Sequence, residues 1–179
     1  MVRRRATRSM LVLAAITAAL SLAGAALSEG WSMELTSADF KADGAIPSQF
    51  TCQGRNTSPQ LAWSGPPAGA KSFLLTMIDP DSPGGDFVHW LVYDIPATAG
   101  SIPQGGPLPP GAKELGNDFG RPGYGGPCPK AGPPEHRYVF TVYALDTASL
   151  GKVGRQDLMA KIKAHSLASA RLVGRYRLH

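Results

Sequence analysis

Three side chains able to hold or share a proton, Asp79, His89 and His136, stand at the ends of apolar runs in this 179-residue sequence. Asp79 and His89 flank a polar stretch with two prolines and two glycines, Asp79-Pro80-Asp81-Ser82-Pro83-Gly84-Gly85-Asp86, which cannot continue a β-ladder. The runs on either side are therefore neighbouring strands, with Asp79 and His89 at the same end. His136 opens a third apolar run, just after a glycine-rich loop over residues 123–129. If these strand ends meet, one carboxylate, two imidazoles and the backbone N–H groups near Gly125 and Gly126 surround a small hollow. Imidazoles and N–H groups suit a phosphate or carboxylate, and a facing acid suits a protonated oxygen or an ammonium group.

Each residue also has a plainer reading. An aspartate beside proline is commonly a turn former, so Asp81 and Asp79 each compete with that role. A single histidine at a strand end is as readily a hydrogen-bonded structural residue. Trp63, Trp90, Tyr124 and Tyr138 do not alternate with basic residues, which makes them core or pocket wall rather than a stacking platform for bases. His165 lies on the apolar face of an expected helix and reads as packing.

Several chemistries are excluded by missing motifs. No G-x-S-x-G elbow, H-E-x-x-H helix or phosphate-cradling G-x-x-x-x-G-K-[ST] loop is present. Asp79, His89 and His136 lack a closely spaced ligand pair, so no metal is expected, and no cofactor is called for. The absence of an activated nucleophile favours a binding protein without catalysis. The alternative is a phosphoester or ester hydrolase in which His89 or His136 serves as general base and Asp79 orients it.

The elements that must position these residues follow from periodicity. Residues 71–78, 90–95 and 136–145 are apolar on both faces, as central strands buried on two sides are. Short strands are expected within 31–37 and at 61–63, and a surface excursion rich in proline and glycine spans 100–111. Only the tail changes period: residues 156–167 have helical spacing, and 171–178 alternate as a last strand. The fold class is mainly β, an antiparallel-rich β-sandwich with a C-terminal helix and strand, in one domain over residues 31–179.

Charge and cysteines narrow the setting. Arg3, Arg4, Arg5 and Arg8 account for four of the 18 basic residues, leaving 14 against 13 acidic ones. The body of the chain is close to neutral, so no nucleic-acid partner is expected. Residues 1–25 have the pattern of a cleaved secretory signal, a basic start, an apolar stretch and Ala23-Gly24-Ala25. This places the protein in the periplasm or outside the cell; an uncleaved segment would instead tether it to the membrane. In that oxidising setting the two cysteines, Cys52 and Cys128, are expected as a disulfide rather than two thiols.

The ordered motifs Asp79-Pro80-Asp81-Ser82-Pro83, His89-Trp90-Leu91-Val92-Tyr93-Asp94-Ile95-Pro96, Gly126-Pro127-Cys128-Pro129 and His136-Arg137-Tyr138-Val139-Phe140 resemble the phosphatidylethanolamine-binding protein family, in its bacterial Raf-kinase-inhibitor-like branch. The resemblance runs from about residue 33 to the C-terminus and includes Phe50-Thr51-Cys52-Gln53-Gly54 and Asn117-Asp118-Phe119-Gly120. It implies a β-sandwich with an anion pocket for phosphate, acetate or phosphorylethanolamine head groups. Carried over, the pocket comprises Asp79, His89, Gly126, Pro127 and His136, with Tyr124 and Trp90 as neighbours. Cys128-Pro129-Lys130 departs from the paired prolines of eukaryotic members at the pocket rim. The partners implied are a small anionic ligand or phospholipid head group, or a protein bound through the same pocket as an interaction or inhibitor module. Inhibition of cytosolic kinases does not follow for an exported protein.

Overall fold

The two-faced apolar runs pair with one another, and their pairing makes the larger of two sheets. A computed structural model describes residues 32–132 and 134–178, so the signal-like residues 1–25 lie outside the described part. Strands β1 (Glu34–Thr36), β2 (Leu61–Ser64), β3 (Ser72–Asp79), β4 (Phe87–Pro96), β5 (Ser101–Ile102), β6 (Lys113–Glu114) and β7 (His136–Leu145) precede helix α1 (Arg155–His165) and the final strand β8 (Ser166–Tyr176). Sheet order is β1-β2-β5 in the small sheet and β6-β4-β3-β7-β8 in the large one, with every strand pair antiparallel.

Alternation along the central strands divides the side chains between two cores. Phe73, Leu75 and Met77 of β3, Phe140 and Val142 of β7, and Leu172 of β8 face Leu35, Leu61, Trp63 and Ile102 of the small sheet. The other face carries Leu74, Leu91, Tyr93 and Leu145, which Leu158 and Ile162 of α1 cover. Burial on both sides is why β3 and β7 read as nearly continuous apolar runs.

Three expectations about the elements need correction. The excursion at 100–111 contains β5, whose Ile102 is fully buried, because one apolar side chain in a proline-rich segment suffices to dock it on β2. The last strand starts at Ser166 rather than 171, directly at the end of α1. His165 does not pack on an apolar face: its Nδ1 lies 2.9 Å from the Asp146 carboxylate at the surface.

Strand β4 is irregular in a way that its sequence conceals. Its register with β3 slips twice, once between Phe73 and Leu75 and once between Met77 and Ile78. Each slip gives β4 one extra residue. Met77 pairs with Trp90 and Ile78 with Val88, which leaves His89 without a partner. Phe73 pairs with Ile95 and Leu75 with Val92, and within that interval Asp94 adopts φ 54°, a left-handed conformation that aspartate tolerates better than most residues.

Candidate functional site

Register fixes which strand ends meet. Asp79 ends β3 opposite Phe87 of β4, and His136 begins β7 next to β3, so residues 79, 87, 89 and 136 share one end of the large sheet. The bulge at His89 turns its ring into a cavity of about 200 Å³ that Asp79, His136, Tyr138, Phe87 and Phe119 also line, with Ser82, Pro83, Cys128, Pro129 and Lys130 at its edges.

Asp79 is 4% exposed and both of its oxygens are engaged. Oδ1 accepts the Asp81 N–H at 2.9 Å, and Oδ2 accepts from Nδ1 of His136 at 2.8 Å. This carboxylate therefore sets the His136 ring rather than offering itself to a ligand. Asp81 turns the other way, toward Arg137, which meets it through Nε, Nη2 and the backbone N–H. The guanidinium holds the Asp81 carboxyl down at about 2, below the ordinary 3.8.

His89 is clamped in both directions by one loop residue. Its Nδ1 lies 2.6 Å from the Gly125 carbonyl, and its own carbonyl accepts the Gly125 N–H at 3.1 Å. A carbonyl only accepts, so Nδ1 carries a proton. Burial pushes the His89 pKa below the ordinary 6.5, and the Gly125 bond and the Asp79 charge offset this only in part. Burial thus disfavours the charged form of the ring, and Nε2 is the nitrogen left without a partner among the described residues. Phe87, Phe119 and Tyr138 surround the ring, at centroid distances of 5.0, 5.4 and 5.2 Å.

Two further features complete the cavity. Tyr138 is fully buried, and its hydroxyl has no hydrogen-bond partner among the described residues. Burial raises its pKa and the nearby Asp79 charge raises it further, so it remains a phenol. Phe119 is held over the opening by its loop: its N–H donates to Asn117 Oδ1, and Asp118 accepts from Val88 N–H and from Arg155 of α1.

Not every expected residue reaches the cavity. Gly126 and Pro127 lie behind it, Gly126 donating its N–H to Asn56 and Pro127 accepting from Cys52. The Gly125 and Gly126 N–H groups are thus spent inside the protein and do not form an anion nest. Gly126 is glycine for steric reasons, since a Cβ there would run into the Phe50 carbonyl. Trp90 and Tyr124 stack edge to face in the main core, 5.5 Å apart, their polar atoms bonded to Glu114 and to the Phe50 carbonyl. Cys52 and Cys128 form a disulfide with Cα atoms 5.4 Å apart, fastening the loop that bears Gly125 and Lys130. Among the described residues, no group of three or more His, Cys, Asp or Glu is arranged to hold a metal ion.

Phe87 and Phe119 were absent from the expected site, and Lys130 had entered only as the end of the rim segment Cys128-Pro129-Lys130. Phe119 had a sequence signal, a large aromatic in the otherwise polar turn Asn117-Asp118-Phe119-Gly120. Lys130 had only its position two residues past Cys128.

Comparison with known proteins shows the family and the fold. A family model described as phosphatidylethanolamine-binding protein matches residues 36–177. A UPF0098 protein of Aquifex aeolicus is 45% identical over 151 residues, covering 81% of this chain and 88% of that protein. A Mycobacterium tuberculosis protein named "Putative lipoprotein LppC" is 46% identical over 139 residues, covering 75% of this chain and 68% of that one. The crystal structure of Escherichia coli YbcL, titled a new member of the mammalian PEBP family, aligns with a TM-score of 0.78 at 36% identity. That alignment covers 82% of this chain and 99% of YbcL.

Proposed function

The chain belongs to the phosphatidylethanolamine-binding protein family, and we propose that it is a non-enzymatic binding protein whose cavity at the Asp79 end of the large sheet takes a small oxyanion such as phosphate or a phosphorylated head group. The observation that carries this reading is unused hydrogen-bonding capacity in a buried place. Both imidazoles have Nδ1 committed to the protein, which leaves each Nε2 for the cavity, and the Tyr138 hydroxyl has no partner among the described residues. Buried polar groups are normally satisfied, so a cluster left open is matched to something that arrives from outside. Lys130 at the rim adds a positive charge.

Size limits the ligand. About 200 Å³ is below the roughly 300–1,000 Å³ of pockets for drug-sized molecules, so a head group fits and acyl chains stay outside. Export is part of the proposal: the leader at residues 1–25 has signal character, a disulfide suits an oxidising compartment, and one relative carries a lipoprotein name. Among the described residues no helix is long and apolar enough to cross a membrane.

Titration calorimetry with phosphate and phosphorylethanolamine tests the binding role. We expect His89→Ala and His136→Ala each to weaken binding about tenfold or more, as loss of one buried charge-assisted bond does. No heat in the wild type, or unchanged affinity in both variants, would overturn it. The Asp79–His136 pair favours one second reading, since a carboxylate-oriented imidazole is what a general base requires. Turnover of a phosphoester or ester panel that disappears in His136→Ala would establish that reading instead.

A further inference from the structure

We propose that the Cys52–Cys128 disulfide switches the cavity, a regulation that rests on the cavity being an oxyanion site. Oxidised, the bond completes the wall that receives the anion. Reduced to two thiols, it releases that wall and weakens binding while the fold survives.

The bond lies where the cavity meets solvent. Cys128, Pro129 and Lys130 line the cavity in succession, and Lys130 is its one lysine. Both cysteines are exposed, so a thiolate from solution can reach the bond. Upstream of Cys128 the loop is fastened without it. The Tyr124 hydroxyl donates to the Phe50 carbonyl at 2.8 Å, the Gly126 N–H to Asn56 Oδ1 at 2.7 Å, and the Cys52 N–H to the Pro127 carbonyl at 3.1 Å. Downstream, Ala131 bridges Leu178, and the Gly132 N–H donates to the Leu178 carbonyl at 3.0 Å. Between these anchors, neither Cys128 nor Pro129 makes a hydrogen bond among the described residues. The disulfide is what ties this stretch of the wall to the rest of the protein.

Reduction therefore spares both anchors, together with the Gly125 contacts that seat His89. What it frees is the stretch between them. Pro129 has a fixed φ and restricts Cys128 before it, so the disulfide sets the position of Lys130 through a stiff link. Once the bond is open, the wall and the Lys130 side chain must be ordered when the anion arrives, and that ordering lowers affinity.

The redox step is an exchange with an external dithiol. Its thiolate attacks one sulfur of the bond, forms a mixed disulfide and expels the other cysteine as a thiolate. The second thiol of the reductant then displaces the remaining cysteine. Two electrons and two protons pass to Cys52 and Cys128, and the dithiol leaves as its own disulfide. The reverse exchange, with an oxidising disulfide, closes the bond outside the reducing cytosol. For an exported chain the cavity thus becomes fully competent only after export.

Linkage gives the switch a signature that a purely structural disulfide lacks. If oxidation tightens phosphate binding tenfold, saturating phosphate makes the bond tenfold harder to reduce. That factor corresponds to a reduction potential lower by about 30 mV.

The test compares phosphate and phosphorylethanolamine binding by calorimetry in the oxidised protein, the protein reduced with dithiothreitol, and Cys52→Ala/Cys128→Ala. Near-ultraviolet circular dichroism follows the fold, and a redox titration against a dithiol–disulfide buffer is run with and without saturating phosphate. We expect about tenfold weaker binding in the reduced protein and the double variant, recovery when the wild type is reoxidised, a native spectrum throughout, and the 30 mV shift. Equal affinity in the two redox states, or a potential that ignores phosphate, overturns the switch and leaves the oxyanion site standing. So does a bond that resists excess dithiothreitol in the native protein, or a native spectrum lost on reduction, which would make the disulfide a brace of the whole fold. No binding of either anion by the oxidised protein overturns the site itself, and the switch with it.

Discussion

Strand β4 carries two bulges, and the residues they set apart, His89 and Asp94, are polar groups buried by the same device to opposite ends. At the far bulge the Asp94 carboxylate is saturated. Oδ1 accepts the Leu150 N–H at 2.7 Å, and Oδ2 accepts from Ser149 at 2.7 Å and Lys113 at 2.9 Å. Burial raises its pKa, but these donors outweigh burial and hold it below the ordinary value. At the near bulge His89 uses one nitrogen on Gly125 and leaves the other toward a cavity. The difference shows that a buried polar residue marks a site only when its bonding capacity is left over. Asp94 is as buried as His136, yet it staples β4 to the loop after β7 and β6 to β4, with nothing left to offer a ligand.

The sharpest way to break this comparison is Asp94→Ala. The substitution strands the buried Leu150 N–H and forces alanine into a left-handed conformation, each costing about 1–2 kcal/mol. We expect a loss of about 3 kcal/mol in urea unfolding, with phosphate affinity of the folded protein unchanged. A matching loss of affinity would show that the two bulges are coupled rather than separate. Tyr138→Phe should do the reverse. Removing a buried hydroxyl that lacks a partner stabilises the empty protein by about 1 kcal/mol, because the unsatisfied group no longer has to be stripped of water. The same change should weaken phosphate binding about tenfold, measured side by side by thermal unfolding and calorimetry.

How much of this was legible in the sequence depends on whether the signal was periodic. The three central strands were visible as two-faced apolar runs, and turn residues brought Asp79 and His89 to one sheet end, whereas His136 joined them only on the condition that its strand lie beside theirs. The bulges were not visible, since an extra residue in a strand leaves the run apolar and breaks the alternation only in three dimensions. That is why Trp90 was grouped with the pocket: its neighbour His89 is the extra residue, while Trp90 itself stays in register with Met77 and points into the core. Tyr124 and Gly126 were misplaced for a related reason. Residues 123–129 are a loop, and nothing in a glycine-rich loop tells which N–H groups face inward until Asn56 and His89, far away in the chain, are seen to consume them. Asp94 passed unnoticed because one aspartate in an apolar strand gives no hint of three donors converging from elsewhere.

Asp81 offers the smallest test, and it separates burial from bonding. It lies two residues from Asp79 and makes a two-pronged ion pair with Arg137, yet half of the Arg137 side chain is exposed, where solvent screens much of the attraction. The pair ties the loop carrying Ser82 and Pro83 to β7, so it should trim the mobility of the cavity rim more than it stabilises the fold. Its pH dependence has a fixed sign. The Asp81 carboxyl titrates at about 2 in the folded protein against an ordinary 3.8, so the stabilisation is complete above about 4 and disappears as pH falls toward 2. Arg137→Ala should therefore lower the unfolding midpoint slightly at pH 7, less than Asp94→Ala does, and the gap from wild type should close across that acidic window. A gap as large as that of Asp94→Ala, or one that persists at pH 2, would mean that the exposed ion pair bears structural weight after all, and that saturation rather than burial is what makes the carboxylate at the far bulge costly to lose.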